Sequence, residues 1–203
     1  MSMFRSLLST TVSSKYQILD HIYCDGDQHV NFTTIIPNNH KLEMKIQQDE
    51  YHDDNHLFGA NYNGAYSDGS RFFSITTYSN KFYWGRNGSE GNGGSWSSDP
   101  LTIVYNDFTD AEVKVNGVTI GSGYEISTQG YFFLFKRSNT TSSAENIHKF
   151  IGNFYYCKLW DRHSGILILD VVPAKRLADD VIGLYDLASG TFYENDGSGS
   201  FTE

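Results

Sequence analysis

Two histidines four residues apart, His52 and His56 in HDDNH, have the spacing at which one helix face can hold a zinc ion between two rings. The residues around them are rich in Asp and Asn, which suits a connection between strands better than a helix. Carboxylates suit a harder cation, so Asp49, Asp53 and Asp54 form a candidate calcium set, against the plainer reading of a solvated acidic loop. The run GRNGSEGNGGSW (85–96) has the glycines of a phosphate loop but not its Gly-Lys-Ser/Thr ending. It reads instead as a flexible loop that ends on Trp96. No cofactor is expected, with calcium the one exception worth testing.

A third chemistry fits more residues. A saccharide presents an apolar C–H face and a rim of hydroxyls, so its sites pair an aromatic platform with hydrogen-bonding side chains. Trp96 supplies a platform, and Tyr62, Asn63, Tyr66 and Asp68 of NYNGAYSDG, with Arg71, Arg86 and Asn87, supply the rest. The same residues also serve as ordinary loop decoration. Trp84 shares a strand face with Phe82 and reads more readily as core, but stays in the candidate carbohydrate-binding set. Trp160 sits in CKLW, with Cys157 and Leu159 to one side and Tyr156, Lys158 and Trp160 to the other. Bulk on both faces there suggests packing within a sheet.

The elements that must hold these groups are strands. KLEMKIQ (41–47) alternates cleanly, and HVNFTTII, HLFGANY, RFFSITTY, KFYWGR, LTIVYND, AEVKVNGVTIG, GYFFLFKR, GNFYYCKLWDR and GILILDVVP follow the same habit between turn residues. YQILDHIYC (16–24) reads as the first run. VNGV and DRHSG read as hairpin turns, and SSAENIHKF (142–150) is the nearest approach to a helix. VIGLYDLASGTFYENDGSGSF (181–201) reads as a closing hairpin whose Gly190 takes a positive φ, with Phe201 as an apolar plug. In 203 residues with 14 Tyr, 14 Phe and 19 Gly, this pattern predicts one all-β domain, an antiparallel β-sandwich or jelly roll, over 16–203. Residues 1–15 read as a linker or leader, because Leu7-Leu8 is too short an apolar core for a secretory signal. A net charge of −9 argues against nucleic acid, and the absence of an apolar run of about 18 residues argues against a membrane span. Cys24 and Cys157 are either a disulfide between an early and a late strand or, the favoured reading, two buried thiols.

The run DVVPAKRLADDVIGLYDLASGTFYENDGSGSF (170–201) resembles the closing segment of concanavalin A-like, laminin-G-like jelly-roll modules found in phage tail and bacterial surface proteins. Asp170, Pro173, Lys175-Arg176, Gly183-Leu184-Tyr185-Asp186, Ser189-Gly190, Phe192-Tyr193, Asn195 and Phe201 carry the likeness. YQILDHIYCDGDQHVNFTTIIPNN, LFKRSN and FYYCKLWD are similar to earlier strands of the family. Asp180 departs from it, standing where glycine is usual, which leaves the local turn type open.

The resemblance implies a carbohydrate-binding module without catalytic activity, such as those inserted in evolved distal tail proteins of phages. Its implied partners are the parent tail protein and the cell-wall polysaccharide of a Gram-positive host, and its implied location is the virion tail tip. Enzymes of the family carry two Glu flanking an Asp on one strand, and retaining glycosidases need carboxylates about 5 Å apart. No strand has that pattern, and Glu43 and Glu112 stand alone. The rival expectation is a structural or protein-docking module of a tail or surface assembly with no sugar site.

Overall fold

The computed structural model describes residues 15–36, 39–49, 55–62, 72–86, 89–106, 112–122, 130–135 and 150–203. Among them are strands and no helix: β1 (Tyr16–Ile18), β2 (Ile22–Asp25), β3 (Val30–Ile36), β4 (His40–Gln48), β5 (Asn55–Tyr62), β6 (Phe72–Tyr78), β7 (Lys81–Arg86) and β8 (Ser89–Gly93) in the first half. The second half adds β9 (Leu101–Asn106), β10 (Glu112–Val115), β11 (Val118–Ser122), β12 (Gly130–Leu134), β13 (Ile151–Asp161), β14 (Leu167–Arg176), β15 (Ile182–Asp186) and β16 (Thr191–Tyr193). Ten strands form one sheet in the order β11-β10-β9-β4-β13-β14-β15-β16, with β1 added beside β14 and β2 beside β13. Six form the other, in the order β3-β12-β5-β6-β7-β8. The result is the expected all-β antiparallel jelly-roll sandwich.

Alternation builds the core between the sheets. In β4, Leu42, Met44 and Ile46 are buried while Lys41, Glu43, Lys45 and Gln47 point outward. Ile103, Tyr105, Cys157, Leu159, Val171 and Leu184 join them from the large sheet, and Phe32, Phe58, Ile75, Phe132 and Leu134 face them from the small one. Phe132 touches Phe32 and Phe58 at centroid distances of 5.2 and 5.6 Å. The turns follow from residue type: Asn116 and Gly117 both take positive φ, as a two-residue hairpin loop requires, and so do Ser79 and Asn80. Gly190 has φ 75°. Asp180 itself occupies the left-handed region at φ 60°, with its carboxylate 2.8 Å from Lys175 Nζ, so the turn keeps the backbone form that glycine would give.

Both open sides of the sandwich are closed. On one, the tail after β16 crosses to β3: Asn195 Oδ1 accepts from His29 N, Asp196 Oδ2 accepts from Asn31 N, and Phe201 is 3% exposed beside Phe135. Strand edges that would otherwise offer free N–H groups are thereby capped. The signature Asp186 is 1% exposed and holds its own turn, accepting from Asp170 N, Ala188 N and the Ser189 hydroxyl.

On the other side the structure corrects the reading of 85–96 as a flexible loop. Ser89–Gly93 is strand β8, paired to β7 and set against β11. Its glycines serve a close approach: a β-carbon on Gly91 would lie 2.6 Å from Trp84 Nε1, and one on Gly93 would strike the Ile120 carbonyl oxygen. Trp84 is 2% exposed and donates its indole N–H to Ser122 O at 2.9 Å, so it is core and not a sugar platform.

YQILDHIYC is two short strands, since the chain leaves β14 after Ile18 and joins β13 at Ile22. Cys24 and Cys157 are both free and fully buried. Cys24 lies opposite Gly152, about 17 Å along β13 from Cys157, far beyond disulfide reach. Burial pushes both thiols well above the ordinary range, which leaves them unreactive. Residues 1–14, Asp53, Asp54, His52 and the stretch 142–149 lie outside the described residues. His56 is in strand β5, so the helical zinc arrangement does not form.

Candidate functional site

Of the residues proposed for the patch around Trp96, the structure describes Tyr62, Trp84, Arg86 and Trp96. Tyr62 and Arg86 are at the same end of the small sheet, where Tyr62 pairs with Gly130 and Arg86 with Phe73 and Ser89. Trp96 is at the other end: its backbone N–H donates to Asn80 O in the β6–β7 turn. The length of β7, about 17 Å, separates them. Trp96 is half-buried. Asn63, Tyr66, Asp68, Arg71 and Asn87 lie outside the described residues. Among the described residues no cluster of acids, histidines or cysteines could hold a metal ion; Asp49 is one of them and is exposed.

A different aromatic group is assembled on the outer face of the ten-stranded sheet. Along β13, Gly152, Phe154, Cys157 and Leu159 point inward, while Asn153, Tyr156, Lys158 and Trp160 point outward. Between Phe154 and Tyr156 the register with β4 shifts by one, so Tyr155 and Tyr156 together oppose Lys45. This bulge puts two adjacent tyrosines on the same side, which regular alternation forbids. Their rings diverge. The Tyr155 hydroxyl donates to Gln47 Oε1 at 2.9 Å, and the Tyr156 hydroxyl donates to Glu43 Oε1 at 3.1 Å. Asn153 Nδ2 reaches the same Gln47 oxygen at 3.4 Å.

Lysines interleave with these rings. Lys41 Nζ lies 4.4 Å from the centre of the Trp160 ring and 3.3 Å from Glu43 Oε2. Lys45 Nζ lies 4.8 Å above the Tyr155 ring, and Lys158 Nζ is 3.5 Å from Asp170 Oδ1. Such contacts fix the side chains in place more than they stabilise the fold, since half-exposed ion pairs contribute about 0–1 kcal/mol. Burial, then the Glu43 charge and hydrogen bond, push the Tyr156 hydroxyl up to about 12, so it remains a proton donor throughout the physiological range. The face therefore offers three aromatic rings, with donors and acceptors between them, along a single strand. Trp160 and Tyr156 are four positions apart, about 13 Å.

Burial also raises the Asp170 carboxyl above its ordinary 3.8, with the Lys158 ammonium opposing the shift. Ionisation above that value is then a cost borne mainly by the folded state. Asp170→Asn removes it, so the stability of the natural chain relative to the variant should fall as pH rises through and beyond 3.8. Denaturant unfolding at a series of pH values checks this, and a relative stability that rises instead contradicts it.

The sequence carried part of this site. KLEMKIQ and YCKLW already sorted Lys41, Glu43, Lys45, Tyr156, Lys158 and Trp160 onto one side of their strands. Nothing local marked β4 and β13 as neighbours, and the doubled tyrosine was the only hint of a bulge.

No protein-family model matches the chain, and no curated protein sequence does. Solved structures match by shape. A Bacteroides ovatus protein described as carbohydrate-binding superposes with a TM-score of 0.62 at 11% identity over 92% of this chain, which spans 60% of that protein. The CBM40 module of a Ruminococcus gnavus IT-sialidase, solved with α2,3-sialyllactose bound, gives 0.54 at 11% identity over 71% of this chain and 91% of its own. Domains LG4-5 of the mouse laminin α1 chain give 0.51 at 6% identity over 75% of this chain and 44% of theirs. At these identities the likeness is one of fold: the chain is a jelly-roll sandwich of the kind used by carbohydrate-binding modules and laminin-G domains.

Proposed function

We propose that this chain is a carbohydrate-binding module without catalytic activity, which lays a glycan along β13 on the outer face of the large sheet. The observation that carries this reading is the outward row Tyr155, Tyr156 and Trp160, flanked by Lys41, Glu43, Lys45, Gln47 and Asn153. Rings there can underlie sugar C–H faces while the polar groups meet hydroxyls. Fold neighbours that include carbohydrate-binding modules support it. The non-catalytic part rests on the carboxylates of the face: Glu43 is engaged by Lys41 and Tyr156, and Lys158 stands between it and Asp170.

The resemblance of the closing segment to modules of phage tail proteins supports a setting on a tail tip, with the cell-wall polysaccharide of a Gram-positive host as ligand. Weak single sites would then act through many copies. A fluorescent fusion of the chain should label Gram-positive wall preparations. Tyr156→Ala with Trp160→Ala should weaken that labelling about 10- to 100-fold, with melting of the fold preserved. Loss that follows Trp96→Ala instead would move the site to the small sheet.

One observation favours a docking role as the second reading. Tyr131 and Ile35 are cross-strand partners on the small sheet, 48% and 52% exposed. If Tyr131→Ser abolishes attachment to a tail or surface assembly while glycan labelling is never seen, docking is the function.

A further inference from the structure

The bulge at Tyr155–Tyr156 leaves one cation unspent. On the outer face between β10 and β14, Lys114 pairs with Glu112, Lys41 with Glu43 and Lys158 with Asp170. Lys45 has no carboxylate partner among the described residues; its ammonium is held above the Tyr155 ring. Three of these four lysines are thus paired to carboxylates, and Lys45 is the one that is not, in a chain of net −9.

The neighbouring residue on the same side of β4 adds a second donor. Gln47 Oε1 accepts from both Tyr155 and Asn153, which commits the oxygen and leaves its NH2 group to donate. Two donors, one charged, on successive outward positions of one strand match the oxygens of an anion and not those of a neutral hydroxyl alone. Tyr156 cannot supply the countercharge, because its hydroxyl stays protonated and is turned toward Glu43.

Resting on the glycan-binding reading above, we propose that this bulge is the subsite for the acidic group of a charged glycan. A carboxylate or a phosphate would meet Lys45 Nζ and Gln47 Nε2, with the sugar against Tyr155 and Tyr156. The chain would then prefer acidic polysaccharides to neutral ones.

Affinity electrophoresis of the full chain tests this with three polymers in the gel: polygalacturonate for carboxylate, poly(glycerol phosphate) for phosphate, and dextran as the neutral arm. Retardation by one acidic polymer is expected, and which one names the group. It should weaken as NaCl is raised. Lys45→Gln should reduce it about tenfold with unchanged melting, while Lys81→Gln, on the other sheet, should leave it intact. Equal retardation by dextran and the acidic polymers, or retardation by an acidic polymer indifferent to Lys45→Gln, overturns the charged subsite and leaves glycan binding standing. If no polymer and no wall preparation is bound, glycan binding itself fails, and this subsite with it.

Discussion

Trp84→Ala is expected to cost about 3–5 kcal/mol of stability, the range for truncating a large aromatic side chain in a core. Trp84 is buried to 2% and its indole N–H closes onto Ser122 O of β11, so one side chain ties the small sheet to the edge of the large one. Gly91 and Gly121 face the indole so closely that a β-carbon on either would lie 2.6 or 2.5 Å from ring atoms. Neither neighbour has a side chain to fill the space that alanine would leave, which places the variant at the costly end. Urea unfolding of both proteins measures it. Trp84→Phe separates the two contributions: it keeps much of the volume but leaves Ser122 O without its donor, for about 1–3 kcal/mol. A Trp84→Ala protein within about 1 kcal/mol of the natural chain would show that the sheets are held together elsewhere.

The second large effect is expected at Gly152. Its φ is +144°, a region that residues with a side chain rarely adopt. It pairs with Gln48 on one side and Cys24 on the other, so β13 is gripped between two strands there. A β-carbon would run into the Gln47 carbonyl oxygen and come within 2.9 Å of Gln48 Cα. Backbone atoms in a paired strand cannot move aside without breaking the ladder. Strain and overpacking each cost about 1–3 kcal/mol, so Gly152→Ala should lose roughly 2–6 kcal/mol. Thermal melting checks the loss, and a melting point unchanged within error would mean that β4 and β13 can separate there cheaply. Because Tyr155 and Tyr156 follow three and four residues later on the same strand, any folded fraction of the variant should also bind glycan poorly.

Much of the architecture was legible along the chain. Alternation in β4 and β13 sorted inward from outward residues, and Asn116-Gly117 and the Asp186–Gly190 turn marked where strands reverse. Those features depend on a few consecutive residues, whose φ preferences and side-chain parity are local properties. The glycine-rich run 85–96 misled because glycine marks loops and close approaches alike. Only the indole of Trp84 lying on Gly91 tells which applies.

The candidate site is the opposite case. Tyr155 and Gln47 are 108 residues apart in sequence, and a strand pairing with no local signature puts the hydroxyl on the amide. Closeness in sequence is no guide either: a meandering sheet alternates between its two ends, so Arg86 and Trp96 finish a strand length apart. What the amino-acid sequence determined by itself was a β-sandwich with its turns and, away from bulges, the facing of strand residues, since these follow from backbone preference and a period of two. Which outward residues share a surface was decided by strand order and by one bulge, because the backbone hydrogen bonds of a ladder are the same for every residue pair and strands distant in sequence meet only in the folded sheet.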